Sequence, residues 1–133
     1  MLEKDIVTIS NKVEKPDLSG FKTNCTYYVT WDSEGNETRT PITQIAPSNW
    51  YDYSKKEWAN IVTTGASGDV ETYWVWIPRY EYKLYSSTQE ATIKYINKNT
   101  TKPDAGYEIP ESFEFGGKQL AGYWISKYEL SNK

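Results

Sequence analysis

Residues 73–85 read YWVWIPRYEYKLY, and six of these thirteen positions are Tyr or Trp. Aromatic density of this kind either builds a core or presents a stacking surface. Before Pro78 the run is apolar on both parities, with Trp74, Trp76 and Pro78 on one and Tyr73, Val75 and Ile77 on the other. A strand apolar on both faces is expected to be buried at the centre of a sheet. Pro78 has no N–H for a ladder, so a bend, a bulge or an edge is expected there. Beyond it, Tyr80, Tyr82 and Leu84 share one face while Arg79, Glu81, Lys83 and Tyr85 share the other. Burial is therefore expected to fall across Pro78, leaving YEYKLY half exposed or packed under a loop.

The flanking segments also read as strands. TYYVTWDSEGNETRTPI (26–42) is the clearest hairpin: β-formers, a DSEGN turn in which Gly35 and Asn36 tolerate positive φ, and a return strand. Asp32, Glu34 and Asn36 have the odd-position spacing of a calcium loop, but no bidentate acid follows at the required distance, so a polar hairpin tip is expected. In NWYDYSKKEWANIVTT (49–64) two readings compete. One is a second hairpin turning at Ser54–Lys56; the other is a short helix from Ser54 through Ala59. The β-branched IVTT and the aromatic density favour the hairpin. GASGDV and SSTQE read as turns, ATIKYI as a strand, NKNTTKPDAG as a long polar loop, and FEFGGKQLAG as a hairpin about Gly116–Gly117. GYWISKYELS alternates, with Tyr123, Ile125 and Lys127 against Trp124, Ser126 and Tyr128. At the start, DIVTIS suggests a short strand and NKVEKPDLSG a linker.

The expected fold is mainly β, a β-rich α+β chain of hairpins. Residues 1–20 are expected to form an arm or linker, and residues 21–133 a single β-rich domain with aromatic hairpins over 21–64. The 133 residues suffice for one domain with a real core. A net charge of −3 lacks the basic face that nucleic-acid binding requires, so no nucleic-acid partner is expected. No run of 18 apolar residues predicts membrane insertion. The opening MLEKDIVTISNK lacks the apolar core of a secretory signal, which leaves a mature segment, an excised fragment or a virion part all open.

WVWIPRYEYKL and GYWISKYELSN carry a resemblance. Val75–Leu84 resembles the first strand of the formylglycine-generating (sulfatase-modifying factor) family, and Tyr123–Asn132 resembles its KYEVTN strand. The resemblance covers about the last 60 residues and implies an incomplete or divergent C-type-lectin-like sheet over 72–133. The run from NWYDYSKKEWANIV onward is also similar to uncharacterised proteins of Gram-positive bacteria and their phages. The family's catalytic cysteines and metal ligands lie C-terminal to its KYEVTN strand, so no residue here inherits a catalytic role. The turn glycines of the first motif are also replaced by RYEYKL.

The chemistry-bearing residues are few. The chain has no His, which removes the commonest general base and zinc ligand. Its one cysteine, Cys25, is expected to be a small buried side chain. No catalytic residue, metal or cofactor is expected. Glu108, Glu111 and Glu114 cluster in sequence as glycosidase carboxylates do, but around Pro110 they are expected to face water. The stronger candidate is a ligand surface made by Trp50, Tyr51, Asp52, Tyr53, Trp58 and Asn60, with Asn49 interleaved. Flat rings stack on sugar faces and the polar groups fix hydroxyls; the competing reading packs the same rings onto the main sheet. The functional expectation is a non-enzymatic structural or adhesion module of a virion or bacterial surface, located outside the cell. Its partners would be proteins or further copies, met through strand edges, an arm such as residues 4–14, or the aromatic surface. A stand-alone carbohydrate-binding domain is the alternative, and a non-catalytic remnant of a formylglycine-generating-type enzyme the third reading.

Overall fold

The computed structural model describes residues 13–65, 70–85 and 90–127. The fold is mainly β and antiparallel. β1 (Thr26–Trp31) and β2 (Glu37–Pro41) form the first hairpin, with Tyr27 opposite Pro41 and Trp31 opposite Glu37. Its tip closes on Asp32, whose carboxylate accepts from the backbone N–H groups of Glu34 and Asn36, each at 2.8 Å. The Asn36 bonds hold this carboxyl below the usual carboxylate range. Gly35 supplies the positive φ of 86°. The calcium-like spacing is thus used to close a turn. Half-buried Cys25 ends the short 3-10 turn Thr23–Cys25 before β1, less enclosed than expected.

β3 (Asn60–Thr64) pairs with β1 and with β4 (Glu71–Pro78), and β9 (Gly122–Ser126) completes a five-stranded sheet in the order β2-β1-β3-β4-β9. Directly opposed residues share a face. Tyr28, Ile61 and Trp74 therefore lie on one side, while Val29, Asn60 and Val75 lie on the other. On the first side Phe21 meets Trp74 and Trp124 edge-on at 5.7 and 5.4 Å, and Trp76 lies 5.3 Å from Trp124. Fully buried Val29, Ile61, Val62 and Trp76 each stabilise the fold by roughly 1.5–3 kcal/mol. On the second side the Arg39 guanidinium of β2 bonds Glu71 at 3.0 Å and the Tyr73 hydroxyl at 2.9 Å, both on β4. These bonds reach over β1 and β3, which lie between β2 and β4 in the sheet.

At Pro78 the chain leaves this sheet, as a missing ladder donor requires. β5 (Tyr80–Tyr85) starts a separate two-stranded ladder with β6 (Glu90–Tyr95), Tyr80 facing Tyr95 and Tyr82 facing Ile93. Burial does not decline across the bend. Trp76 is buried, but Tyr73, Trp74, Val75 and Ile77 are only half-buried, whereas Arg79 and Glu81 are 1% and 2% exposed. The charged face of YEYKLY is covered by the loop that follows β6. Glu81 pairs with Lys94 at 3.1 Å and accepts from the Asp104 N–H, also at 3.1 Å. Lys94 also pairs with Asp104, and its ammonium sits 4.3 Å from the Tyr107 ring. Leu84 and Tyr85, at the far end of β5, are exposed.

β7 (Glu114–Phe115) and β8 (Lys118–Gln119) make the expected hairpin, with φ of 59° at Gly116 and 81° at Gly117. Two consecutive positive φ values select this dipeptide for a two-residue turn. The described chain falls into two compact units. One contains residues 13–16 and 78–123, the other residues 17–77 and 124–127. The expected DIVTIS strand, most of the 4–14 arm, the SSTQE turn and Tyr128 lie outside the described residues, apart from Glu90 at the start of β6. Among the described residues no helix is long and apolar enough to cross a membrane.

Candidate functional site

The aromatic segment 49–60 forms the tight turn and not the helix. Asp52 caps a single 3-10 turn, Tyr53–Lys55, its carboxylate accepting from the Ser54 N–H at 3.1 Å and from the Ser54 hydroxyl. Lys56 takes φ of 62°, and Asp52 and Glu57 exchange two backbone bonds of 2.8 and 2.9 Å. A two-bond bridge across a left-handed residue cannot continue as a helix. The Ser54 bonds keep the Asp52 carboxyl below its ordinary range.

The rings of this turn run in a chain of edge-on contacts. Tyr28 meets Trp50 at 4.5 Å, Trp50 meets Tyr51 at 5.2 Å, Tyr51 meets Tyr53 at 5.5 Å and Tyr53 meets Trp58 at 5.2 Å. The inner members are used for structure. The Tyr53 hydroxyl donates to the Trp76 carbonyl at 2.6 Å and accepts from the Ala59 N–H at 3.0 Å. The Trp50 indole N–H donates to the Asn60 carbonyl at 2.7 Å. The last member differs: Trp58 remains 41% exposed.

Trp58 has a counterpart in Trp31, also 41% exposed. The β1–β3 register pairs Val29 with Asn60. Continued by two residues, it sets Trp31 across from Trp58. Between them lies an open cavity of about 330 Å³, floored by Val29, Trp50 and Asn60 and edged by Thr30, Asn49 and Glu57. The floor is held in place. The Asn60 side-chain amide donates to the Trp58 carbonyl at 2.9 Å, and its oxygen accepts from the Lys127 ammonium at 3.1 Å. That ammonium also lies 5.3 Å from the centroid of the Trp31 ring. The indole N–H groups of Trp50, Trp74 and Trp124 are bonded to Asn60, Thr63 and Asp17. Those of Trp31 and Trp58 meet no acceptor among the described residues.

Of the six expected ligand residues, Trp50, Trp58 and Asn60 come together at this groove, joined by Asn49. Tyr51, Asp52 and Tyr53 do not line it; Tyr51 is half-buried, Asp52 is used in the turn and Tyr53 is buried. Trp31 is the residue that sequence reasoning passed over. Its signal is positional, since it follows Val29 by two on β1 just before the turn.

A second, shallower cavity of about 660 Å³ in the other unit is lined by Tyr82, Glu108 and Glu111. Glu114 is not among its walls, and all three carboxylates are exposed. Tyr82 donates to Glu108 at 3.1 Å, and the two residues also exchange backbone bonds of 2.8 Å. Among the described residues no cluster of three or more acidic, His or Cys side chains is placed to hold a metal. No family model, no curated protein and no solved structure matches the chain.

Proposed function

We propose that this protein is a non-enzymatic adhesion module that holds a glycan in the groove between Trp31 and Trp58. The observation that carries the reading is that pair of indoles: register-opposed, equally half-exposed, and with N–H groups unclaimed by protein acceptors among the described residues. Their faces suit the apolar face of a sugar ring, and their N–H groups suit its hydroxyls. The cavity falls within the ~300–1,000 Å³ typical of small-ligand sites, which pair apolar walls with a few placed polar groups. Because Asn60 and Trp50 are already tied down by hydrogen bonds, little ordering remains to be done on binding.

Assembly through strand edges has weaker support at β2. This edge strand carries Pro41 and the Glu37–Arg39 ion pair, devices that keep an edge from pairing with another chain. The aromatic surface therefore carries the adhesion reading. It suits a virion or cell-surface setting, consistent with the lectin-type resemblance of Val75–Leu84 and Tyr123–Asn132. A glycan array tests the proposal directly. The full chain is expected to bind a defined glycan class, and Trp31→Ala/Trp58→Ala is expected to lose that binding with the far-UV spectrum unchanged. Wild-type protein that binds no glycan, or a double variant that binds as well, would overturn the reading.

A further inference from the structure

We infer that the groove selects a glycan residue bearing a free ammonium, a hexosamine without its N-acetyl group, and that Glu57 determines this preference. The inference rests on the glycan reading above and names the ligand within it. Glu57 is the one acidic side chain lining the groove, and the Lys127 ammonium stands at Asn60 and Trp31. Its carboxylate has no ion-pair or hydrogen-bond partner among the described residues, although Lys55 and Lys56 precede it directly. Its backbone is fixed by the two-bond bridge to Asp52, and it immediately precedes Trp58. A carboxylate and an indole are thereby presented from adjacent residues at one wall.

The Trp58 indole and the unpaired Glu57 carboxylate favour a cation at that wall, while the Lys127 ammonium lies against Trp31. Ring faces attract ammonium groups, and the carboxylate adds a direct charge contact. The protein already places an ammonium against one of these rings, because Lys127 sits 5.3 Å from the Trp31 centroid. Lys127 forms no ion pair with Glu57 and is bonded to Asn60, so the Glu57 charge is left for a ligand. An acidic sugar would meet the Glu57 charge at close range. N-acetylation would remove the positive charge and set a methyl group toward the carboxylate.

Calorimetric titration of the full chain with a glucosamine tetramer and an N-acetylglucosamine tetramer, at a mildly acidic pH that protonates the amines and leaves carboxylates ionised, separates the possibilities. The glucosamine tetramer is expected to bind about tenfold tighter, the product of one exposed ion pair and one cation–π contact. Glu57→Gln is expected to cut that ratio to about threefold, the cation–π share alone, while Trp58→Ala weakens both ligands. Equal affinities in wild type, or a ratio that Glu57→Gln leaves at about tenfold, would overturn the inference and leave the glycan reading standing. Saturation by tetramethylammonium with an affinity matching the glucosamine tetramer would overturn it in favour of a cage for quaternary ammonium. Failure of both tetramers and of every glycan on the array would remove the glycan reading itself.

Discussion

Arg79 and Lys127 are both cations set against aromatic rings, one in each compact unit, and the protein uses them in opposite ways. The Arg79 guanidinium makes five hydrogen bonds: to the Thr100 carbonyl twice, to the Phe113 and Leu120 carbonyls, and to the Gln119 side chain. That engages all of its N–H donors. No carboxylate lies within ion-pair distance of it among the described residues. Burial pushes its pKa down, and the more distant charges of Glu14 and Glu114 oppose that shift. Lys127 is exposed and makes one side-chain hydrogen bond and one ring contact. Arg79 is the donor to the half-buried Thr100 and Leu120 carbonyls and a second donor to that of Phe113, so it belongs to the fold. Lys127 orients Asn60 and Trp31, so it belongs to the groove. A cation beside rings is thus not a functional mark in itself; the number of protein acceptors it already serves separates the two cases.

Substitutions put that contrast under strain. The largest effect is expected for Arg79→Met, which leaves the Thr100 and Leu120 carbonyls without a donor, while Phe113 keeps the Leu120 N–H, and should cost about 2 kcal/mol or more in urea unfolding. A cost below about 1 kcal/mol would mean that water reaches those carbonyls, and the contrast with Lys127 would collapse. Tyr53→Phe is expected to cost about 1–1.5 kcal/mol by the same measurement, since it strips one donor and one acceptor from a buried bridge. Lys127→Met should change stability by less than about 1 kcal/mol, as exposed contacts do. It should nonetheless weaken binding of the uncharged N-acetylglucosamine tetramer about threefold, because Asn60 and Trp31 lose a common anchor. Equal losses of stability and binding would place Lys127 with Arg79.

The smallest effect concerns pH. The Arg39 bond holds the Glu71 carboxyl below its ordinary value of 4.5. Its folded pKa therefore lies below the unfolded one. The associated stability is present above pH 4.5 and is lost as pH falls through the lower folded value. Both partners are partly exposed, so the contribution is under about 1 kcal/mol. Thermal unfolding of Arg39→Met should show a shallower loss of stability in acid than wild type, and identical slopes would contradict the assignment.

Much of the framework was legible in the residues because turn chemistry is local. DSEGN, the Gly116–Gly117 pair and the Ser54–Lys56 turn each announce a reversal, and Pro78 announces the bend. The burial of Arg79 and Glu81 was not legible. Charged side chains ordinarily face water, and nothing local shows that carbonyls from Thr100, Phe113 and Leu120 converge on one guanidinium. The groove was half legible. Trp50, Trp58 and Asn60 stand together in sequence, but which rings end up buried depends on Tyr53 and Trp50 finding backbone partners. Trp31 enters only once the β1–β3 register is known, because that pairing spans 31 residues between Val29 and Asn60.

The most direct test follows the indole N–H resonances during titration with the glucosamine tetramer. Trp74 and Trp124 donate to protein acceptors and do not line the groove, so their signals should hold. Trp31 and Trp58 line the groove without such acceptors among the described residues, so theirs should move together and saturate at one ligand concentration. Movement of the Trp74 or Trp124 signals while Trp31 and Trp58 stay fixed would place the ligand elsewhere and contradict the account.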